Sequence, residues 1–150
     1  MRNSALILLL LPATASAQSV QPGDWTVTSK AVELVLPGTP GFLLNMAKGK
    51  TKTEHKCLLP DQAKAGIGAL FVPKPEAKCS VERAQIAGGR IDHVMTCPQK
   101  DGTPARVVRT GTYTAGGFTA RTTMTGQTKK GPSRIVADQV GARVGPTCRK

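Results

Sequence analysis

The chain has 150 residues, with 21 Lys and Arg against 9 Asp and Glu, and carries a formal net charge of +12. That length supplies one domain and excludes a two-domain enzyme. Aromatic residues make up only 3%, too few to build a platform for stacking bases, so the excess of positive charge argues for an acidic partner other than nucleic acid.

Residues 1–17 read as an address. Arg2 and Asn3 precede the apolar run Ala5 to Leu11, then come Pro12 and the small-residue exit Ala15-Ser16-Ala17. These are the three parts of a secretory signal peptide, with cleavage expected after Ala17. The run is much shorter than the roughly 20 apolar residues that a membrane-spanning helix needs. Removal of 1–17 takes Arg2 and leaves a net charge of +11, of which eight units fall in residues 48–56 and 129–150. Residues 18–150 form the expected single domain, exported to the periplasm or the cell exterior. Cys57, Cys79, Cys97 and Cys148 all lie in that part, and an even set of four in an oxidising compartment reads as two disulfides. Their spacing offers no structural zinc pattern, and no other metal or cofactor is implied.

Along the chain, Pro22 to Thr28 gives turn residues and then alternation, the pattern of a half-buried strand with Trp25 inward. Pro37 to Gly41 is a loop. From Lys48 to Cys57 the alternation places Lys48, Lys50, Lys52, Glu54 and Lys56 on one face of a predicted strand and Thr51, Thr53, His55 and Cys57 on the other. A short helix is expected over about 59–70, started by Pro60 and Asp61 and weakened by Gly66 and Gly68. Two hairpins follow. Residues 79–86 and 90–97 flank Ala87-Gly88-Gly89, with Ile86 set opposite Arg90, Val81 opposite Met95 and Cys79 opposite Cys97. Residues 106–114 and 117–126 flank Ala115-Gly116, with Tyr113 opposite Phe118, Gly111 opposite Ala120 and Val107 opposite Met124. A last strand runs from Arg134 to Val144. The fold class is therefore mainly β, a small antiparallel sandwich or partly closed barrel of about seven strands, linked by disulfides. Strand parity favours Cys79–Cys97 with Cys57–Cys148, and Cys57–Cys79 with Cys97–Cys148 is the alternative.

Several of these pieces, in order, resemble the bacterial family called domain of unknown function 3617: Pro22-Gly23-Asp24-Trp25, Cys57-Leu58-Leu59-Pro60-Asp61-Gln62-Ala63, Ile86-Ala87-Gly88-Gly89-Arg90-Ile91, Gly111-Thr112-Tyr113 with Phe118, and Arg143-Val144-Gly145-Pro146-Thr147-Cys148. The resemblance implies an exported envelope protein rich in β-structure and brings no catalytic residues. Leu59 stands where the family usually shows Thr, which removes a helix N-cap.

His55 and His93 adjoin Glu54 and Asp92, but neighbours in a strand point to opposite faces, so neither pair is a local acid–base dyad. His93 reads instead as a cross-strand partner of Arg83. With the cysteines paired, no nucleophile remains and a non-enzymatic protein is expected. The lysines at 48, 50, 52 and 56, about 7 Å apart along one strand face, match a repeating anionic polymer of the envelope; a plain edge strand protected by lysines is the simpler account of them. The first functional expectation is a cationic envelope-binding or accessory protein. The second is a carrier holding a small apolar ligand between sheets.

Overall fold

Alternating β-branched and threonine-rich stretches, separated by glycine-centred turns, form strands over most of the chain in the computed structural model, which describes residues 19–149. The expected signal segment and the cleavage position after Ala17 lie outside these residues. The strands are β1 Gly23–Val35, β2 Thr51–Leu58, β3 Ser80–Ala87, β4 Arg90–Pro98, β5 Pro104–Tyr113, β6 Gly117–Thr128 and β7 Gly131–Gly145. Two short helices, α1 Gly41–Ala47 and α2 Pro60–Lys64, and 3-10 turns at Ile67–Phe71 and Pro75–Ala77 complete the elements.

The fold is mainly β and antiparallel, with seven strands. They make one sheet in the order β2-β1-β7-β6-β5-β4-β3, a single layer in place of two facing ones, and it is not closed, because β2 and β3 stand at opposite edges. The chain must therefore travel from one edge to the other between β2 and β3, across six strand spacings or roughly 29 Å. Residues 59–79 make that crossing over one face of the sheet. In doing so they supply the second layer of the core. Leu58, Ala63, Ile67, Leu70 and Phe71 are buried against Trp25 and Val27 of β1, Ile91 of β4, and Phe118 and Ala120 of β6. The helix expected over 59–70 is divided at Gly66 into α2 and the first 3-10 turn. With leucine at its N-cap, α2 takes its remaining cap from Gln62, whose Oε1 accepts the Leu59 N–H at 3.0 Å.

Close approach sets one core position. A Cβ on Gly141 would overlap the Phe118 ring, so the absence of a side chain on β7 lets Phe118 lie flat on the sheet and meet Phe71 edge-on, 5.1 Å between centroids. The opposite face is mainly polar, with Val94 and Val136 buried on it. Ion pairs Arg83–Asp92, Arg106–Glu82, Arg121–Asp138 and Arg134–Glu33 run across it, with the hydroxyl pairs Thr28–Thr53 and Thr112–Thr119 between.

The second hairpin has the expected register, Tyr113 opposite Phe118 and Val107 opposite Met124. The first differs near its turn. Gly88 and Gly89 both take positive φ, 58° and 77°, giving a two-residue turn that pairs Ala87 with Arg90 and Ile86 with Ile91. A bulge between Val81 and Arg83 then absorbs one residue and restores Val81 opposite Met95. Disulfides join Cys57 to Cys148 and Cys79 to Cys97. Each fastens one edge of the sheet: Cys57 lies in edge strand β2, and Cys79 leads into edge strand β3.

Candidate functional site

The lysines singled out from the sequence are not a uniform stripe. Helix α1, which periodicity did not announce, occupies 41–47, and β2 begins only at Thr51. Lys48 and Lys50 therefore belong to the turn that enters β2, where the Gly49 N–H donates to Ala31 O and the Ala31 N–H donates to Lys50 O. Lys52 and Lys56 are in β2 on the face that carries Trp25, as the pairs Ser29–Lys52 and Trp25–Lys56 require. Lys52 is paired with Glu54 at 2.8 Å. Lys56 is half-buried under the crossing segment and donates to Leu70 O at 2.6 Å; burial lowers its pKa, Glu54 opposes that, and Arg109 adds to it. Two of the four lysines thus serve the fold, and two remain free at the surface.

Those two have company. The β6–β7 turn carries Lys129 and Lys130, both exposed, and the Lys130 side chain lies over Gly38 in the loop that leads into α1. Lys48 and Lys50 on one side and Lys130 on the other therefore bracket α1. Seven of the nine acidic residues are spent on ion pairs elsewhere. Asp101, close enough to feel Lys129, is held below the usual carboxylate range chiefly by hydrogen bonds from Thr103. Lys48, Lys50, Lys129 and Lys130 make no ion pair among the described residues. The exposed cations outside the ion pairs also include Lys30, Lys74, Lys78, Arg90 and Lys100; among them all, Lys48, Lys50, Lys129 and Lys130 are gathered around α1.

A second cationic group lies beneath Phe71. Ser29, Gln139, Thr122, Arg109 and His93, from five adjacent strands, form a belt across the core face. Gln139 Nε2 donates to Ser29 Oγ at 3.0 Å, Thr122 Oγ1 and Arg109 Nε donate to Gln139 Oε1 at 2.7 and 3.0 Å, and Arg109 Nη1 approaches His93 Nδ1 at 3.4 Å. Arg109 is only 9% exposed, has no carboxylate partner among the described residues, and carries the Phe71 ring 4.6 Å above its guanidinium carbon. Burial pushes its pKa down to about 10. Burial, and then the Arg109 charge, lowers that of His93. His93 is therefore a neutral acceptor at pH 7, and its strand partners are Ala84 and Arg109; Arg83 bonds Asp92 instead.

His55 does meet a carboxylate, Asp24 on the neighbouring strand at 3.6 Å, a contact visible only once β1 and β2 are in register. Asp24 is buried and also holds Arg149 at 2.9 Å, so the residue after Cys148 is docked next to the Cys57–Cys148 bridge. No cysteine is free among the described residues, nor do those residues contain a group of three or more His, Cys, Asp or Glu placed to hold a metal. For a small ligand the surface offers shallow hollows, one of about 310 Å³ beside Val20, Ala63, Ile86 and Tyr113.

With this geometry in place, comparison adds one match. A family model described as "Protein of unknown function (DUF3617)" covers residues 20–148. The chain belongs to the DUF3617 family. No curated protein and no solved structure matches it. The match spans both disulfides, the crossing segment and the lysine-bearing end, so the whole sheet is the family's domain.

Proposed function

We propose that this DUF3617 protein is an exported, non-catalytic binding protein of the bacterial envelope that holds an anionic surface or polymer with the lysine-bearing end of its sheet. The observation that carries this reading is the placement of charge. Acidic residues neutralise the arginines of the polar sheet face, whereas Lys48, Lys50, Lys129 and Lys130 stand free around α1. Exposed ammonium groups gathered at one end create a local positive potential that attracts polyanions and weakens with salt. The two bridges, each fastening an edge strand, suit an oxidising compartment, which agrees with the signal-like residues 1–17.

The test is retention on immobilised dextran sulfate. Replacing Lys48, Lys50, Lys129 and Lys130 by Glu is expected to release the protein at a much lower salt concentration than the parent, with an unchanged circular dichroism spectrum. Elution of both at the same salt concentration refutes the assignment of binding to this end.

A further inference from the structure

Helix α1 is unusual in what it leaves uncovered. Its seven residues, Gly-Phe-Leu-Leu-Asn-Met-Ala, bury none of their side chains; Phe42 is 65% exposed, Met46 59% and Leu43 43%. At 100° per residue, positions 42, 43 and 46 fall within an arc of about 100°, so the three exposed large apolar groups share one side of the helix, with Leu44 outside it. Val35, at the end of β1, is also exposed. So short a helix gains little from its own hydrogen bonds, and among the described residues its apolar side is left exposed. The residues bracketing this apolar side are the free lysines: Lys48 and Lys50 directly after the helix, and Lys130 lying on Gly38 directly before it.

Apolar side chains ringed by lysines complement a lipid surface better than a sugar polymer. A hydrated polyanion satisfies the ammonium groups but offers Phe42 and Met46 nothing to leave water for. An anionic bilayer offers both, headgroup phosphates for the lysines and the acyl boundary for the apolar groups. We propose that α1 is a membrane-docking wedge, with Phe42, Leu43 and Met46 entering the interface of an anionic bilayer while Lys48, Lys50 and Lys130 sit among the headgroup phosphates. This rests on the reading that the lysine-bearing end is the binding end, and it commits the partner to a lipid surface. In this docking the protein lies on the membrane; among the described residues no helix is long and apolar enough to cross one. The orientation follows from the fold. With α1 downward, the β3–β4 turn and the Tyr113 end of the sheet point away from the lipid.

The experiment uses the chain from Gln18 onward, which contains every described element, so that residues 1–17 do not themselves partition into lipid. Binding is measured by co-sedimentation with vesicles of one part phosphatidylglycerol to two parts phosphatidylcholine, and with phosphatidylcholine alone. The parent is expected to bind the anionic vesicles and not the neutral ones. Phe42→Ser with Leu43→Ser and Met46→Ser, all exposed and so compatible with folding, is expected to weaken vesicle binding by roughly 30-fold, while retention on dextran sulfate stays as in the parent. In a separate Phe42→Trp variant, indole fluorescence is expected to be quenched by bromine-labelled acyl chains. Equal vesicle binding by parent and triple-serine variant, or no quenching, overturns the wedge while leaving the binding end in place. Loss of dextran sulfate retention in the lysine variant, without loss of vesicle binding, also overturns it. If sedimentation shows that the parent is a dimer and the triple-serine variant a monomer, the apolar side is a contact between copies and the proposal fails.

Discussion

Replacing Arg109 by Met distinguishes a charge that holds the fold together from one that the fold merely tolerates. The depression of its pKa to about 10 means that the folded environment disfavours the charged guanidinium by about 3 kcal/mol relative to water, at 1.36 kcal/mol per unit. Against that stand the contact with Phe71, worth about 1–2 kcal/mol in a desolvated setting, and the hydrogen bond to Gln139, about 1 kcal/mol. Methionine keeps the apolar stem under the ring. The one acceptor it leaves without this donor is His93 Nδ1, whose contact with Arg109 is a long 3.4 Å; Gln139 Oε1 still receives Thr122 Oγ1 and Gln139 Nε2 still donates to Ser29. The expected result is a stability within about 1 kcal/mol of the parent, read as a urea midpoint displaced by less than roughly 1 M. Phe71→Ala, by contrast, removes the lid over both Arg109 and Phe118 and is expected to cost about 3–5 kcal/mol. A loss above about 3 kcal/mol in Arg109→Met would refute the reasoning and make the guanidinium a structural strut.

Three further outcomes follow from the same structure. His93 has its pKa lowered from 6.5, so its contribution to stability is present above 6.5 and is lost as pH falls from 6.5 toward the lower folded value, where the unfolded chain takes up a proton that the folded one refuses. His93→Gln is expected to flatten that part of the stability profile, and an unchanged slope between pH 7 and 5 would contradict it. The Cys57–Cys148 bridge closes 91 residues and the Cys79–Cys97 bridge 18. By the chain-entropy relation their removal as serine pairs costs about 4.6 and 3.2 kcal/mol respectively, and chemical denaturation showing the shorter loop to matter more would reverse the order. Gly141→Ala pushes a methyl into the Phe118 ring and is expected to cost about 1–3 kcal/mol, with a melting temperature equal to the parent's as the contrary result.

How far the sequence carried depends on whether a feature is local. The Tyr113–Phe118 hairpin was legible because a short glycine turn and strict alternation on both sides specify the same register. The Gly88-Gly89 hairpin was legible only beyond its bulge, since one extra residue at Glu82 leaves no mark in a pattern of alternating polarity. The lysine alternation at 48–56 was regular, yet chemically the four positions are unlike: a turn at Gly49 precedes β2, and the crossing segment recruits Lys56 as a donor to Leu70 O. Helix α1 escaped notice because Gly41, Asn45 and the prolines at 37 and 40 suit a loop, and its apolar side chains face no core that would impose a period. The belt of Arg109 and His93 could not be read at all. It exists because β2 and β3 are opposite edges, which sends Phe71 across the sheet to a residue 38 positions away, and strand order is set by long-range packing rather than by any local signal.

The claim that charge acts by its place rather than by its total is tested most directly with two variants of equal net charge. Lys48→Glu with Lys130→Glu alters the α1 end; Lys64→Glu with Arg90→Glu alters exposed cations on α2 and at the start of β4, away from it. Affinity for the phosphatidylglycerol vesicles is expected to fall by roughly 30-fold or more in the first, at about 1 kcal/mol for each lysine near an anionic surface, and to change little in the second. Equal losses in the two variants would contradict a localised binding end and leave only the bulk charge of the protein.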